Sequence, residues 1–421
     1  MKKAILILAS LLSIPSFAAI NDTVITEKVY VDNIKTVLLH PVGFEPALPA
    51  IELDGTDKLM LSFDDLDNDN KFYGYTFIHC NADWTPSQLM FTQHSDGLMT
   101  DQITDWRFSL NTFKSYTNYR LNFPTENMKP KVSGNFIIMV FLADEPEKII
   151  LTKRFMVVEK VIGVTPLIQR ARNPDDRNTK QELNFNIDLG AQNVTNPFDY
   201  VKPVIMQNER WDNAIYGLKP LYVNNGKLTY DYYNGNLFNG GNEFRPFDVR
   251  NSRLVNMSVQ KIAFGDDKQW RFYLYPDKNR LVNRYYVMDD LNGRYYIRNQ
   301  NGLDYYSEAD YVWVNFELDA AYPVDGDVYV FGMLTSWQLK PEFKMVYDAD
   351  KHKYTGSAMV KQGLYDYQYV VSKGGNIDDT YIEGNHFETE NTYHILVYIR
   401  AFGDRADRLV AVERLNSVTG K

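Results

Sequence analysis

Any chemistry done by this chain would have to come from a few clusters of carboxylate, imidazole and thiol groups. Asp65, Asp67 and Asp69 repeat at the spacing of the first three ligands of an EF-hand loop, where carboxylate oxygens suit calcium. The sixth position is Asn70 instead of glycine and the twelfth is Thr76 instead of glutamate. Without the sharp turn and the bidentate ligand, these acids read as the tip of a solvated hairpin. His79 and Cys80 are neighbours, and on a strand neighbouring side chains leave on opposite faces, so one metal cannot take both. His386 and His394, eight residues apart, are candidate cross-strand partners.

Paired carboxylates beside an aromatic residue are the usual equipment of a glycosidase. Glu209 and Asp212 flank Trp211, and Glu243 and Asp248 lie in the glycine-led segment 240–248. Each set also carries an arginine, Arg210 or Arg245, so loop-fixing ion pairs explain the acids more simply. The chain has no G-x-S-x-G elbow, no H-E-x-x-H pair and no phosphate-cradling glycine loop. The expectation is a non-enzymatic protein with no catalytic residue, no metal and no cofactor. Large rigid side chains for contact are the better lead, and Trp84, Trp211, Trp270 and Trp337 each stand beside turn-type or charged residues.

Composition supplies the elements that would position these residues. Lys2 and Lys3, an apolar run from Ala4 to Leu12 and the small-x-small end at Ala18 read as a signal peptide over 1–18. Its removal takes two of the 45 basic residues and moves the formal net charge from −9 to −11. An acidic surface of that kind argues against nucleic acid as a partner. With one cysteine, Cys80, the chain has no internal disulfide and depends on its cores. Aromatics make up 14% of the residues, with 30 Tyr and 24 Phe, and favour pleated, half-buried surfaces.

Short strand-like runs separated by turn clusters continue from residue 24 to the end, the pattern of β-sandwiches. Stretch 63–97 reads as a hairpin whose second strand, 73–80, turns Tyr75, Phe77 and His79 one way and Thr76, Ile78 and Cys80 the other. Run 136–142 is apolar on both faces, as a strand buried between two layers should be, whereas 311–318 alternates, with Trp313 opposite Val312, Val314, Phe316 and Leu318. Segment 166–180 carries Arg170, Arg172, Arg177 and Lys180 and reads as a connector or an exposed edge. The expected fold is all-β, with three tandem immunoglobulin-like β-sandwich domains at 19–160, 161–305 and 306–421.

Three segments carry a family likeness: 75–84 (YTFIHCNADW), 207–213 (QNERWDN) and 240–248 (GGNEFRPFD). Their order and spacing resemble the type IX secretion system plug protein family over most of the chain. That resemblance implies an exported protein that docks on the periplasmic side of the large outer-membrane translocon barrel and closes its pore when idle. It implies membrane contact only through that partner, and it brings no catalytic residues. Separately, 327–337 (DVYVFGMLTSW) with 363–371 (GLYDYQYVV) is similar to immunoglobulin-like starch- and glycogen-binding modules, with Tyr354 where a second tryptophan is often found. This second likeness implies, as an alternative, a secreted glycan-binding protein. The residues expected to touch a partner are Trp84, Trp211, Arg245 and Trp337.

Overall fold

The structure is a computed structural model and describes residues 25–300, 302 and 304–420, so the expected signal peptide lies outside the described residues. The strands divide into two-layer sandwiches, each closed by the apolar face that alternation gives its strands.

In the first sandwich the sheet Ile34–Pro41, Leu59–Asp65, Thr117–Phe123, Asp105–Phe108 packs on a sheet centred on Gly134–Leu142 and Tyr73–Cys80. Aromatic rings fill the gap. Phe63 stacks on Tyr119 at 5.3 Å between centroids, and Phe77 meets Phe123 at 5.4 Å and Phe155 at 5.2 Å. Burying such a ring is worth roughly 1.5–3 kcal/mol, which is how a chain without disulfides holds this core.

The second sandwich faces the sheet Gly163–Arg170, Lys180–Asp188, Lys227–Tyr230, Tyr222–Asn224 against a sheet of Val201–Gln207, Thr392–Ile399 and Arg408–Asn416. Gly163–Arg170 is an edge strand, in keeping with the basic edge expected at 166–180. The third sandwich is inserted between these strands. Gly363–Lys373 pairs with Arg245–Asp248, Tyr295–Ile297, Asp327–Phe331 and Asn376–Asp378, opposite a five-stranded sheet built on Tyr311–Asp319 and Lys353–Lys361.

This pairing corrects the linear division at 305/306. Strands between 245 and 297 belong with 311–378, and the last two strands return to Val201–Gln207, Ile205 opposite Ile395. The sequence pattern marks strands but says nothing of which strand hydrogen-bonds to which, so an insertion looks like a series.

The sandwiches also grip one another. Gly134–Leu142 turns Phe136, Ile138 and Val140 into the first core. Its other face, Ile137 and Met139, joins a cluster with Val204, Met206, Leu396, Tyr398 and Leu409 of the second sandwich. The two-faced apolar run thus has a second sandwich as its second layer. Toward the third sandwich the contact is polar: Lys361 Nζ lies 2.5 Å from Asp64 Oδ2, Tyr311 Oη donates to the same oxygen at 2.7 Å, and Arg120 Nη2 reaches Asp304 at 2.6 Å. Asp65, expected at a solvated tip, is a buried strand residue like its neighbour Asp64, because each carboxylate serves as a fixed acceptor.

Candidate functional site

The acidic loop is occupied by its own cation. Lys71 Nζ sits 2.7 Å from Asp65, 2.6 Å from Asp67 and 3.0 Å from Asp69, and these carboxylates hold its ammonium above the usual lysine range against the cost of burial. His79 packs edge-on to Phe136 at 4.9 Å and faces Ser133 O at 3.1 Å, while Cys80 belongs to the joint with the second sandwich. Burial pushes the imidazole down to about 4 and the thiol up to about 12, so neither is poised to react. His79 instead has a neighbour that sequence reasoning missed, His94, at 6.0 Å between ring centroids. His394 does not meet His386: in the sheet it stands opposite Met206 and Arg414. Among the described residues no group of three His, Cys, Asp or Glu side chains could hold a metal ion.

The four candidate acids are tied into separate contacts. Asp212 pairs with Arg210 at 2.8 Å and Asp248 with Arg250 at 2.5 Å, Glu209 pairs with Arg294 at 2.5 Å, and Glu243 accepts from Tyr285. Arg245 serves neither Glu243 nor Asp248. It is buried inside the third sandwich, with Nε 3.0 Å from Glu383 Oε1 and Nη1 2.7 Å from Asp277 Oδ1. Burial raises Glu209 against the pull of Arg294, and burial with Asp366 beside it pushes Asp290 up to about 8. Asp290 Oδ2 accepts the amide of Phe244, so this acid secures the 240–248 segment.

The three tryptophans chosen from sequence converge where all three sandwiches meet. Trp84, Trp211 and Trp337 line one cavity of about 590 Å³, whose wall also takes in Arg154, Glu209 and Arg294. Trp84, 1% exposed, meets Trp211 edge-on at 4.9 Å, and the Arg154 guanidinium lies 4.4 Å from the Trp84 ring. Arg154 donates through Nη2 to Ile25 O at 2.7 Å, which anchors the start of the described chain against the wall. Trp337 is held by Phe331 at 5.6 Å, Phe244 at 6.0 Å and Arg210 at 4.9 Å. Five wall residues that are not glycine, Trp84, Asn208, Glu209, Ser336 and Trp337, have left-handed backbone with φ of 65°, 52°, 58°, 55° and 56°. Conformations of that kind cost about 1–3 kcal/mol each and persist only where the surroundings enforce them. Trp270 lies elsewhere, packed on Phe264 at 4.7 Å.

Arg154 had no sequence signal as a wall residue, whereas Arg294 lies in the stretch 280–298, whose arginines and tyrosines suit a wet sheet face or a contact surface. The only trace of Arg154 is a charge just ahead of the apolar run Phe155 to Val158.

Fold and site together define an all-β, multi-sandwich protein clasped around an aromatic junction. Residues 34–159 match the Type 9 secretion system plug protein 1st domain. Over 94% of its length the chain is similar to a hypothetical protein from Parabacteroides merdae ATCC 43184, solved at 2.30 Å, with 33% identity, a TM-score of 0.90 and all of that chain covered. No curated protein matches the sequence. Residues 34–159 are thus similar to the first domain of type 9 secretion system plug proteins, which supports that family for this chain.

Proposed function

We propose that the mature chain works in the periplasm as a non-enzymatic stopper, docking on the outer-membrane translocon barrel of type IX secretion and closing its pore when no substrate passes. The observation that carries this reading is the plug domain at 34–159 locked on two sides to further sandwiches. A wide barrel open to water is a leak. Blocking it takes a broad body that does not flex, and three sandwiches joined by an apolar seam and buried ion pairs meet that need better than beads on a string.

The tryptophans and Arg245 are too enclosed to be the first surface a barrel meets, so we place docking on exposed apolar loops of the third sandwich. Val282 is 91% exposed and Tyr286 81%, in an irregular stretch with Arg284 between them, and Met257 is fully exposed on another loop. Contiguous apolar patches held in water mark contact surfaces, and we propose that these loops contribute to one.

Deleting the chain should raise outer-membrane permeability to a large antibiotic such as vancomycin, and only while the translocon is present. The double substitution Val282→Asp, Tyr286→Asp should reproduce the leak while thermal stability stays within about 0.5 kcal/mol of the parent, as surface changes do. Permeability unchanged by the deletion would sink the stopper reading, whereas a leak with the deletion but not with the double variant would move the docking surface elsewhere.

A further inference from the structure

We infer that the exposed segment 281–293 is held to the third sandwich by a proton-dependent latch built from Glu243, Asp290 and Asp366, which fixes the segment in acid and frees it as the pH rises. Val282 and Tyr286 ride on this segment, so the latch would regulate docking; only that consequence rests on the docking reading.

Between Leu274 and Tyr295 the chain forms no helix or strand, so side chains must hold it in place. Asp290, on the segment, accepts the amides of Phe244 and Asn292, the second at 2.8 Å. Asp366, on the strand Gly363–Lys373, accepts the amides of Leu291 and Gly293, and Tyr285 donates its hydroxyl to Glu243. The clasp runs both ways, with one carboxyl of the segment on the sandwich and two of the sandwich on the segment.

Glu243 is 2% exposed and Asp366 1%. None of the three carboxyls makes an ion pair among the described residues, and the arginines around them are engaged elsewhere. Arg280 pairs with Glu383 at 2.5 Å and meets Glu243 through its main-chain oxygen at 2.8 Å, Arg245 pairs with Glu383 and Asp277, and Arg294 pairs with Glu209. The other titratable neighbours bring no positive charge. Glu390 donates its amide to Glu243 Oε1 at 3.3 Å, and Glu388, beside Tyr285, is paired with Arg170. The His386 ring lies 5.7 Å from that of Tyr285, and burial holds its imidazole below the usual range.

Glu243 and Asp290 nevertheless hydrogen-bond carboxyl to carboxyl. Two bare carboxylates have no hydrogen to share, so one of them keeps its proton. Burial and the neighbouring Asp366 push Asp290 up to about 8, and burial pushes Asp366 up to about 7. Freed into water an aspartate titrates near about 4, so the latched state holds a proton that the released state has lost. Latching is therefore strongest in acid, weakens by up to about tenfold per pH unit from about 4 to about 8, and is level above that. Asp290 alone of the three sits on irregular chain, so the repulsion is relieved by moving Asp290, and the segment moves with it.

Hydrogen exchange of the mature protein, read by mass spectrometry as protection over 281–293 relative to the intrinsic rate at each pH, tests this. Protection should fall at least about tenfold between about pH 6 and about pH 8.5, while that of Tyr311–Asp319 in the same sandwich holds. Asp290→Asn keeps an acceptor and cannot ionise, so the segment should stay protected at both pH values. Asp366→Asn should shrink the fall, and serves alone if Asp290→Asn loses its cooperative thermal transition. Protection level with pH in the parent, a fall shared by Tyr311–Asp319, or a fall unchanged in the variant that folds would each overturn the latch. Permeability takes no part in this readout, so the stopper can fail while the latch stands, and the latch can fail while the stopper stands.

Discussion

The first sandwich is joined to its two neighbours by opposite materials. Its seam with the second is apolar, with Ile137 and Met139 against Val204, Met206, Leu396 and Leu409. Buried hydrogen bonds cross it as well, Tyr398 Oη to Asn135 Oδ1 at 2.7 Å and Ala82 N to Asp407 Oδ2 at 2.9 Å. Its seam with the third is polar to the centre. Lys361 Nζ donates to Asp64 and to Tyr306 O and lies 4.2 Å from the Tyr116 ring, while Tyr116 Oη donates to Ala309 O at 2.7 Å. An apolar seam tolerates small sliding because dispersion has no direction. A buried ion pair with its hydrogen bonds satisfied fixes one register. Two seams of these kinds on one sandwich hold it close on one side and in alignment on the other.

Breaking the polar seam at its centre should produce the largest effect. Burial pushes the Asp64 carboxyl up and the Lys361 ammonium down, each held back by the other's charge, so removing one partner strands the other. Lys361→Met should cost about 3–5 kcal/mol by denaturant unfolding. Adding Asp64→Asn to that variant should recover much of the loss, and a double variant no better than the single would mean that the pair does not act as a unit. The apolar seam should yield a smaller, unconditional loss. Leu396→Ala, at a fully buried position of the seam, should cost about 3 kcal/mol with no second substitution that restores it short of refilling the space.

The same contrast explains how much the sequence could tell. Apolar patterning gave Tyr73–Cys80 to the residue, and the two-faced run at 136–142 announced a layer on each of its sides. Such signals are local, because burial shows in the type of residue placed at each position. Ion pairs are not local. Arg245 looked like the partner of Glu243 and Asp248 but binds Glu383, and Glu209 looked like the partner of Arg210 but binds Arg294. Only Arg210 with Asp212 kept the expected short-range pairing, and Arg210 reaches onward to Asp379 at 2.9 Å. The tryptophans were legible as special by their turn-type neighbours, yet nothing in one sequence showed that three of them share a wall. That fact depends on the insertion of the third sandwich, and strand pairing over such distances leaves no local mark.

The rim of the polar seam should give the smallest effect and shows whether burial grades the seam. Arg298 Nη2 meets Glu45 Oε1 at 3.0 Å with the arginine side chain 39% exposed, and its guanidinium lies 4.1 Å from the Tyr305 ring. Water competes for such a pair and ordering two long side chains offsets much of the attraction, so Arg298→Ala should cost at most about 1 kcal/mol. Salt should separate rim from centre, because at about 1 M the screening length falls to about 3 Å and exposed charges cease to see one another. The Arg298→Ala loss should therefore shrink in high salt while the Lys361→Met loss stays. If both shrink together, water reaches Asp64 and Lys361 as freely as it reaches the rim, and the seam aligns the sandwiches by surface charge instead of by a buried pair.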